Sequence, residues 1–290
     1  MRIVNRHYLC GVMWFIASLV ACQGNDCIMK FLSARLAPIQ VTFLRFAPAA
    51  FLLLPFMLAS GQRPFHTKRP FLHLLRSAML FSAVTFWCYG LSRTSMPMAV
   101  LTNFAMPLIL IVLASIVLGE RIPKWRWAAT AIGFLGIAVI FKPHGDVYHW
   151  ALVPLILSAF CFALLDVLNR RYANSESMWA MLFYVFMGTA LLAAIPAAYC
   201  WQSPTAAEWF LVALMAVGAN LLSFCSMRAL RLIEASATAP YRYVEFLFSI
   251  VTGYVFFGEI ISRTTLFGAA IILPTTVLIA IYEARNSSKK

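Results

Sequence analysis

Long apolar stretches of this chain contain ionisable side chains, among them Asp26, Arg45, Asp166, Arg242 and Glu245. Moving an ionised side chain to the centre of a membrane costs on the order of 3 kcal/mol on insertion scales, so each group needs a partner or a ligand. Such groups either pair with one another and hold helices together, or bind a charged solute. The sequence leaves both possibilities open for Asp26 with Arg45, and for Arg242 with Asp166 or Glu245.

These charges belong to stripes of polar, small and aromatic residues that recur every three or four positions, as on one face of a helix. The three stripes are Gly11, Phe15, Ser18, Cys22 and Asp26; Ser158, Phe162, Asp166 and Asn169; and Thr238, Arg242, Glu245, Ser249 and Thr252. A stripe of this composition faces a protein interface or a wet cavity rather than lipid. Because three acids stand against two arginines, we predict spare negative charge for a cationic ligand.

Aromatic and amide side chains accompany the charges. An aromatic face stacks on a planar base or sits against a cation, each worth roughly 1–3 kcal/mol, although Trp and Tyr also occupy membrane interfaces for structural reasons. Asn103 lies four residues before Pro107, where the amide and the freed backbone carbonyl serve either a ligand or each other. The predicted substrate-binding residues are Trp14, Asp26, Arg45, Trp87, Tyr89, Asn103, Asp166, Tyr241, Arg242 and Glu245.

The composition indicates which elements must position these residues. Of the 290 residues, 62% are hydrophobic and only 11% are charged, whereas about a quarter are charged in a soluble domain. Apolar stretches of bilayer-spanning length predict an all-α integral membrane protein with ten transmembrane helices. They lie at roughly 8–29, 38–59, 72–92, 97–118, 126–141, 150–168, 178–200, 207–227, 235–257 and 265–282.

The first stretch admits a second interpretation. Leu19-Val20-Ala21-Cys22 has the form of the small-residue pattern before the lipid-modified cysteine of bacterial lipoproteins. A lipoprotein signal normally precedes a largely water-soluble chain, whereas nine further apolar stretches follow here. We therefore expect the first span to be retained.

The net charge of +13 reflects membrane topology rather than nucleic-acid binding. With the N-terminus in the cytoplasm, the tails and loops on the inner side carry 15 Lys and Arg residues, against 5 on the outer loops. This asymmetry predicts both termini in the cytoplasm of a multi-pass inner-membrane protein, with anionic lipid headgroups as natural partners. On this topology Asp26 and Arg45 lie towards the outer side, and Asp166, Arg242 and Glu245 in the inner half.

The chain contains an internal repeat at a shift of about 140 residues. "SLVACQGNDCIMK" (18–30) aligns with "SAFCFALLDVLNR" (158–170), and "VLGE" (117–120) aligns with "FFGE" (256–259). We predict two five-helix repeats, 1–145 and 146–290. Because five is odd, the second repeat is inverted in the membrane, an architecture typical of transporters that work by alternating access.

Several function classes lack their motifs. No phosphate-binding Gly-x-x-x-x-Gly-Lys-Ser/Thr loop, His-Glu-x-x-His or Gly-x-Ser-x-Gly sequence is present, so we predict neither ATP hydrolysis nor any other enzymatic activity. The seven cysteines are scattered without a Cys-x-x-Cys pair, which predicts packing roles rather than disulfides or a metal site. We expect no cofactor.

The duplicated plan with Gly119-Glu120 and Gly258-Glu259 resembles the EamA group of the drug/metabolite transporter superfamily. Further segments are similar to the S-adenosylmethionine uptake transporters of intracellular bacteria. They are "GVMWFIASLV" (11–20), "ND" (25–26) with Lys30, "RPFLHLLR" (69–76), "YGL" (89–91), "KPH" (142–144), "ESMWAMLFY" (176–184), "TAPYRYVE" (238–245) and "ILPTTVLI" (272–279).

This resemblance implies import of S-adenosylmethionine across the cytoplasmic membrane, in exchange for S-adenosylhomocysteine. A sulfonium and an ammonium call for carboxylates and aromatic faces, adenine calls for stacking, and a carboxylate calls for an arginine, for which Arg242 is the choice. Two alternatives stay open. One is transport or export of another amino-acid-like or amphiphilic metabolite, and the other is a structural or lipid-handling membrane protein whose polar stripes only join helices.

Overall fold

The computed structural model describes residues 6–59, 69–103, 105–119, 149–172 and 177–260, together with residues 123–124, 127–128, 131–132 and 135. All regular structure in these residues is helical. In chain order the helices are α1 (Arg6–Leu32), α2 (Pro38–Ala59), α3 (Pro70–Leu91), α4 (Met96–Asn103), α5 (Ala105–Leu113), α6 (His149–Tyr172), α7 (Met178–Tyr199), α8 (Ala206–Leu232), α9 (Ala235–Thr238) and α10 (Tyr243–Phe257).

Six helices in the described residues are long and apolar enough to cross a bilayer, namely α1, α2, α3, α6, α7 and α8. They confirm an all-helical, multi-pass membrane protein at the positions predicted for those spans. The predicted spans 126–141 and 265–282 lie largely or wholly outside the described residues, so the count of ten stays a prediction.

The ends of the helices follow from local sequence. Pro38 and Pro70 occupy the first helical positions of α2 and α3, where a missing N–H costs nothing. At the start of α8, Thr205 and Glu208 form a capping box, in which the Glu208 N–H donates to Thr205 Oγ1 and the Thr205 N–H donates to Glu208 Oε2. These signals fix where the chain enters its spans.

The fourth and ninth spans depart from the regular helices predicted from the sequence. In the fourth, α4 and α5 lie on either side of residue 104, which is outside the described residues, and a π-helical turn, Ala114–Leu118, follows α5. The ninth consists of α9, a 3₁₀ turn (Ala239–Arg242) and α10. Pro240 lies in that 3₁₀ turn and lacks the N–H that a continuous helix would use. Interrupted helices inside transporters commonly carry the ligand site.

The fourth and ninth spans end alike. Gly119 follows the π-helical turn with a φ of 66°, and Gly258 follows α10 with a φ of 63°. This left-handed conformation closes a helix with little strain only when the residue lacks a Cβ. The matching glycines of the "VLGE" and "FFGE" segments therefore share a structural task.

The long helices pack in pairs that join the two sequence halves. Helix α1 packs along α8, α2 along α7, and α3 along α6 and α7. The approach of α1 to α8 is close because each helix contributes a glycine. Gly11 lies against Ile233, and a Cβ at Gly218 would lie 2.5 Å from Asn25 Nδ2. The two halves thus interlock instead of forming separate bundles.

At one end of the bundle, a polar contact joins three segments, and we call it the Lys30–Glu259 junction. Lys30 forms an ion pair with Glu259 and donates from Nζ to the Thr94 carbonyl at 3.1 Å. Glu259 Oε2 accepts the Met96 N–H at 3.0 Å, which satisfies a free donor at the start of α4. The end of α1, the start of α4 and the residue after Gly258 are held together here.

Candidate binding cavity

A cavity lies among the helices of both sequence halves. It is partly open, and about 1020 Å³ of its space is not filled by protein, a figure that includes the open mouth. Six charged side chains line it: Asp26, Arg45, Arg76, Asp166, Arg242 and Glu245. Aromatic side chains also line it: Phe15, Phe46, Trp87, Phe162 and Phe186. The cavity therefore offers both signs of charge and several π faces.

Seven of the ten predicted binding residues line this cavity. They are Asp26, Arg45, Trp87, Asn103, Asp166, Arg242 and Glu245. On α1 the lining residues Phe15, Ser18, Cys22 and Asp26 follow the predicted stripe. The helical period therefore places the first-span stripe as the sequence indicated.

The other three predicted residues lie outside this lining and have other contacts. Trp14 packs edge-on against Phe224, with ring centroids 5.8 Å apart. Tyr89 is 38% exposed, and the Arg93 guanidinium lies 4.4 Å from its ring centroid. The Tyr241 hydroxyl shares a hydrogen bond of 3.1 Å with the hydroxyl of Tyr8.

Two carboxylates from different halves meet in the cavity. The Cys22 sulfur and a carboxylate oxygen from each of Asp26 and Glu245 lie within 4.8 Å of one another. Asp26 accepts hydrogen bonds from Trp87 Nε1 at 2.9 Å and from the Cys22 thiol at 3.8 Å. Two carboxylates this close repel when both are ionised, and a cation placed between them relieves the repulsion. This group, Cys22, Asp26 and Glu245, is the acidic cluster.

The acidic cluster corrects the prediction that Asp26 and Glu245 lie at different depths. Helix α1 has 27 residues, about 40 Å at 1.5 Å per residue, which exceeds the roughly 30 Å of a hydrocarbon core. Counting from the predicted start of such a helix cannot fix the depth of a residue near its other end.

Arg242 is held by the other acid of the cavity. It forms an ion pair with Asp166 of α6, and its guanidinium lies 5.4 Å from the Phe15 ring centroid. Of the pairings left open by the sequence, the structure therefore selects Arg242 with Asp166. The 3₁₀ turn carries Arg242 to this position at the break before α10.

Arg45 has no comparable partner. Its Nη1 donates to the thioether of Met29 at 2.7 Å, and its Nε lacks a hydrogen-bond partner, although the side chain is only 4% exposed. Within the described part of the chain no carboxylate forms an ion pair with it. The alternative of an Asp26–Arg45 ion pair is therefore not what the structure contains.

The profile of the EamA-like transporter family matches residues 9–142 and, again, residues 149–281. The chain belongs to the EamA-like transporter family. The resemblance drawn from the sequence is thereby confirmed.

Among its relatives, an S-adenosylmethionine uptake transporter of Rickettsia conorii is 38% identical, over 98% of this chain and 96% of the relative. One of Rickettsia bellii is also 38% identical, over 98% of this chain and 97% of the relative. A riboflavin transporter of Rhizobium johnstonii is 27% identical, over 96% of this chain and 93% of the relative. A solved crystal structure with a TM-score of 0.76, covering 98% of this chain and 100% of its own at 17% identity, shows the same fold.

In this member of the EamA family, sequence reasoning missed Arg76. Its Nε and Nη2 donate to Asn169 Oδ1 at 2.9 and 2.8 Å, and its Nη1 donates to the Met181 carbonyl at 3.0 Å. Arg76 lies near the start of a predicted span, where an arginine can reach the membrane surface. The sequence alone does not show that Arg76 lies beside Asn169, because the two residues belong to different helices.

Arg76 also corrects the predicted excess of negative charge. Three guanidiniums and three carboxylates line the cavity, so their formal charges are equal in number. The cavity of this EamA protein consequently suits a solute that carries both positive and negative groups better than a simple cation.

Cys22 was expected to be a packing residue, and it instead lines the cavity. All seven cysteines lie in the described residues, where each is a free thiol. The signal was available in the sequence, because Cys22 lies on the same helical stripe as Asp26, four residues away.

Proposed function

We propose that this EamA-family chain imports S-adenosylmethionine across the cytoplasmic membrane by alternating access, in exchange for S-adenosylhomocysteine. The observation that carries the proposal is a cavity with both charge signs and aromatic faces, in a chain 38% identical over 98% of its length to S-adenosylmethionine uptake transporters. Relatives this similar over nearly the full length support the same substrate.

The chemistry of the cavity supports this ligand. S-adenosylmethionine carries a sulfonium, an ammonium, a carboxylate and an adenine. The acidic cluster suits the cationic groups, and the aromatic faces of the lining, Trp87 among them, suit adenine or the sulfonium. A guanidinium suits the carboxylate because it forms two parallel hydrogen bonds with it.

We propose ten spans, arranged as two inverted five-helix repeats over 1–145 and 146–290. The double match to the family profile supports this arrangement, as do the fourth and ninth spans, which both end in a left-handed glycine. The distribution of Lys and Arg supports cytoplasmic termini in the inner membrane, with lipid headgroups around the basic loops. Exchange needs neither catalysis nor a cofactor, so we assign none.

The test is uptake of radiolabelled S-adenosylmethionine into proteoliposomes that hold the purified protein. Vesicles are compared empty or preloaded with S-adenosylhomocysteine. We expect saturable uptake that preloading accelerates. Uptake that preloading does not accelerate would contradict the proposed exchange. Absence of uptake by folded protein would contradict the assignment of S-adenosylmethionine as the substrate.

The alternative is another amino-acid-like or amphiphilic metabolite, and the equal numbers of carboxylates and guanidiniums in the cavity favour it specifically. Unlabelled amino acids added as competitors separate the two functions. Competition by amino acids at concentrations similar to those of unlabelled S-adenosylmethionine would support the alternative.

A further inference from the structure

We infer that Arg45 of α2 is the residue that binds the carboxylate of the transported ligand. This inference rests on the proposed function and names a subsite within it. It also replaces Arg242, which the sequence had favoured for this role.

The three guanidiniums of the cavity differ in what already holds them. Arg242 is ion-paired with Asp166, although its Nε, like that of Arg45, lacks a hydrogen-bond partner. Arg76 donates to the Asn169 amide oxygen and to the Met181 carbonyl. Arg45 donates to a thioether, a weak acceptor, and its buried Nε is left without a partner.

The Arg45 guanidinium therefore uses only part of its hydrogen-bonding capacity. Burying an ionised group without hydrogen-bonding partners is costly, and native proteins retain such groups where another species completes the set. Arg45 lines the cavity while only 4% exposed, so a carboxylate inside the cavity can reach it. A carboxylate supplies two acceptor oxygens and the opposite charge, which a guanidinium fork matches.

The position of Arg45 relative to the acidic cluster fits an α-amino acid group. Arg45 contacts Met29, which lies three residues after Asp26 on α1 and so on the same helical face. The carboxylate site and one end of the acidic cluster are thus about one helical turn apart. An α-amino acid carries its carboxylate and its ammonium on the same carbon, so Arg45 and Asp26 are placed to bind one group each.

The experiment compares two ligands that differ only in the carboxylate. S-adenosylmethionine and its decarboxylated analogue each compete against radiolabelled S-adenosylmethionine in proteoliposomes of the full chain, and each is also assayed by direct binding to the purified protein. Variants are Arg45→Met and Arg45→Lys. Arg93→Met, which removes an exposed arginine outside the cavity lining, is the matched control.

With the unaltered protein, we expect S-adenosylmethionine to bind at least about 30-fold more tightly than the decarboxylated analogue. In Arg45→Met, that ratio should fall to near one because S-adenosylmethionine weakens while the analogue keeps its affinity. Arg45→Lys should restore part of the ratio, since an ammonium keeps the charge but not the fork. Arg93→Met should leave the ratio unchanged.

The inference is overturned if Arg45→Met keeps the ratio, or if both Arg45 variants weaken the two ligands equally, which would make Arg45 structural. It is also overturned if Arg242→Lys abolishes the ratio while Arg45→Lys keeps it. These outcomes differ from failure of the proposed function, in which the unaltered, folded protein neither binds nor transports S-adenosylmethionine. If Arg45→Met does not fold, Arg45→Lys alone decides through its ratio.

Discussion

The charges that each half of the chain brings to the cavity behave differently. In the second half, Asp166 and Arg242 satisfy each other. In the first half, Asp26 and Arg45 do not pair, and Asp26 instead approaches Glu245 through the acidic cluster. Asp26 and Asp166 nevertheless align in the internal repeat. In the proposed function, a duplicated sequence position therefore has a structural role in one copy and a ligand-binding role in the other.

The difference has a local cause. When Gly119 is aligned with Gly258, Arg242 matches Asn103, which lines the cavity as a neutral amide. The second copy thus carries a cation where the first carries none, and that cation takes up the carboxylate of Asp166. Asp26 has no cation at the matching position, and its carboxylate accepts hydrogen bonds from Trp87 and Cys22 without forming an ion pair in the described residues.

The largest expected effect is the loss of ligand affinity when either carboxylate of the acidic cluster is neutralised. Asp26→Asn and Glu245→Gln should each lower affinity for S-adenosylmethionine by about 100-fold, because each removes a buried charge that faces the ligand. Competition binding measures this. Glu234→Gln, which removes an exposed carboxylate outside the cavity lining, is the control. Unchanged affinity in both cluster variants would place the ligand elsewhere.

The Asp166–Arg242 pair should affect stability more than ligand discrimination. Asp166→Asn and Arg242→Gln should each destabilise the protein by about 2–3 kcal/mol, since each leaves a part-buried charge without its partner. The double variant should be less destabilised than the sum, as measured by thermal unfolding in detergent. Additive losses would show that the two side chains are not coupled.

A smaller effect is expected at the Lys30–Glu259 junction. Glu259→Gln weakens a part-exposed ion pair, which is worth about 1 kcal/mol, and should raise access to the cavity about fivefold. The measurement is the rate at which a membrane-impermeant thiol reagent labels Cys22 when the other cysteines are replaced by alanine. A rate equal to that of the parent protein would show that the junction does not limit access.

The smallest effects are expected outside the cavity and from metal removal. Tyr89→Phe should change uptake less than twofold, because Tyr89 lies outside the cavity lining. A chelator should also leave uptake unchanged, since in the proposed function the cation between Asp26 and Glu245 belongs to the ligand itself. Loss of uptake with the chelator would indicate that the acidic cluster binds a metal ion that transport requires.

The sequence predicted the six long spans and most of the charged lining, because apolar length and helical period are local properties. It did not predict the 3₁₀ turn that interrupts the ninth span, since a proline inside an apolar run is compatible with a kink as well as with an interruption. The partners of Arg45, Arg76 and Arg242 were also not readable, because each depends on which helix lies opposite. Hydrophobic periodicity indicates which face of a helix is buried, but not which other helix packs against that face.

The pairing of α1 with α8, α2 with α7 and α3 with α6 constrains how the transporter moves. A motion that pulled the two sequence halves apart would have to separate all three pairs, including the glycine contacts that hold α1 and α8 at Gly11 and Gly218. In the proposed alternating-access cycle, each rigid body would then combine helices from both halves. The boundary between the moving parts would run through each repeat rather than between the repeats.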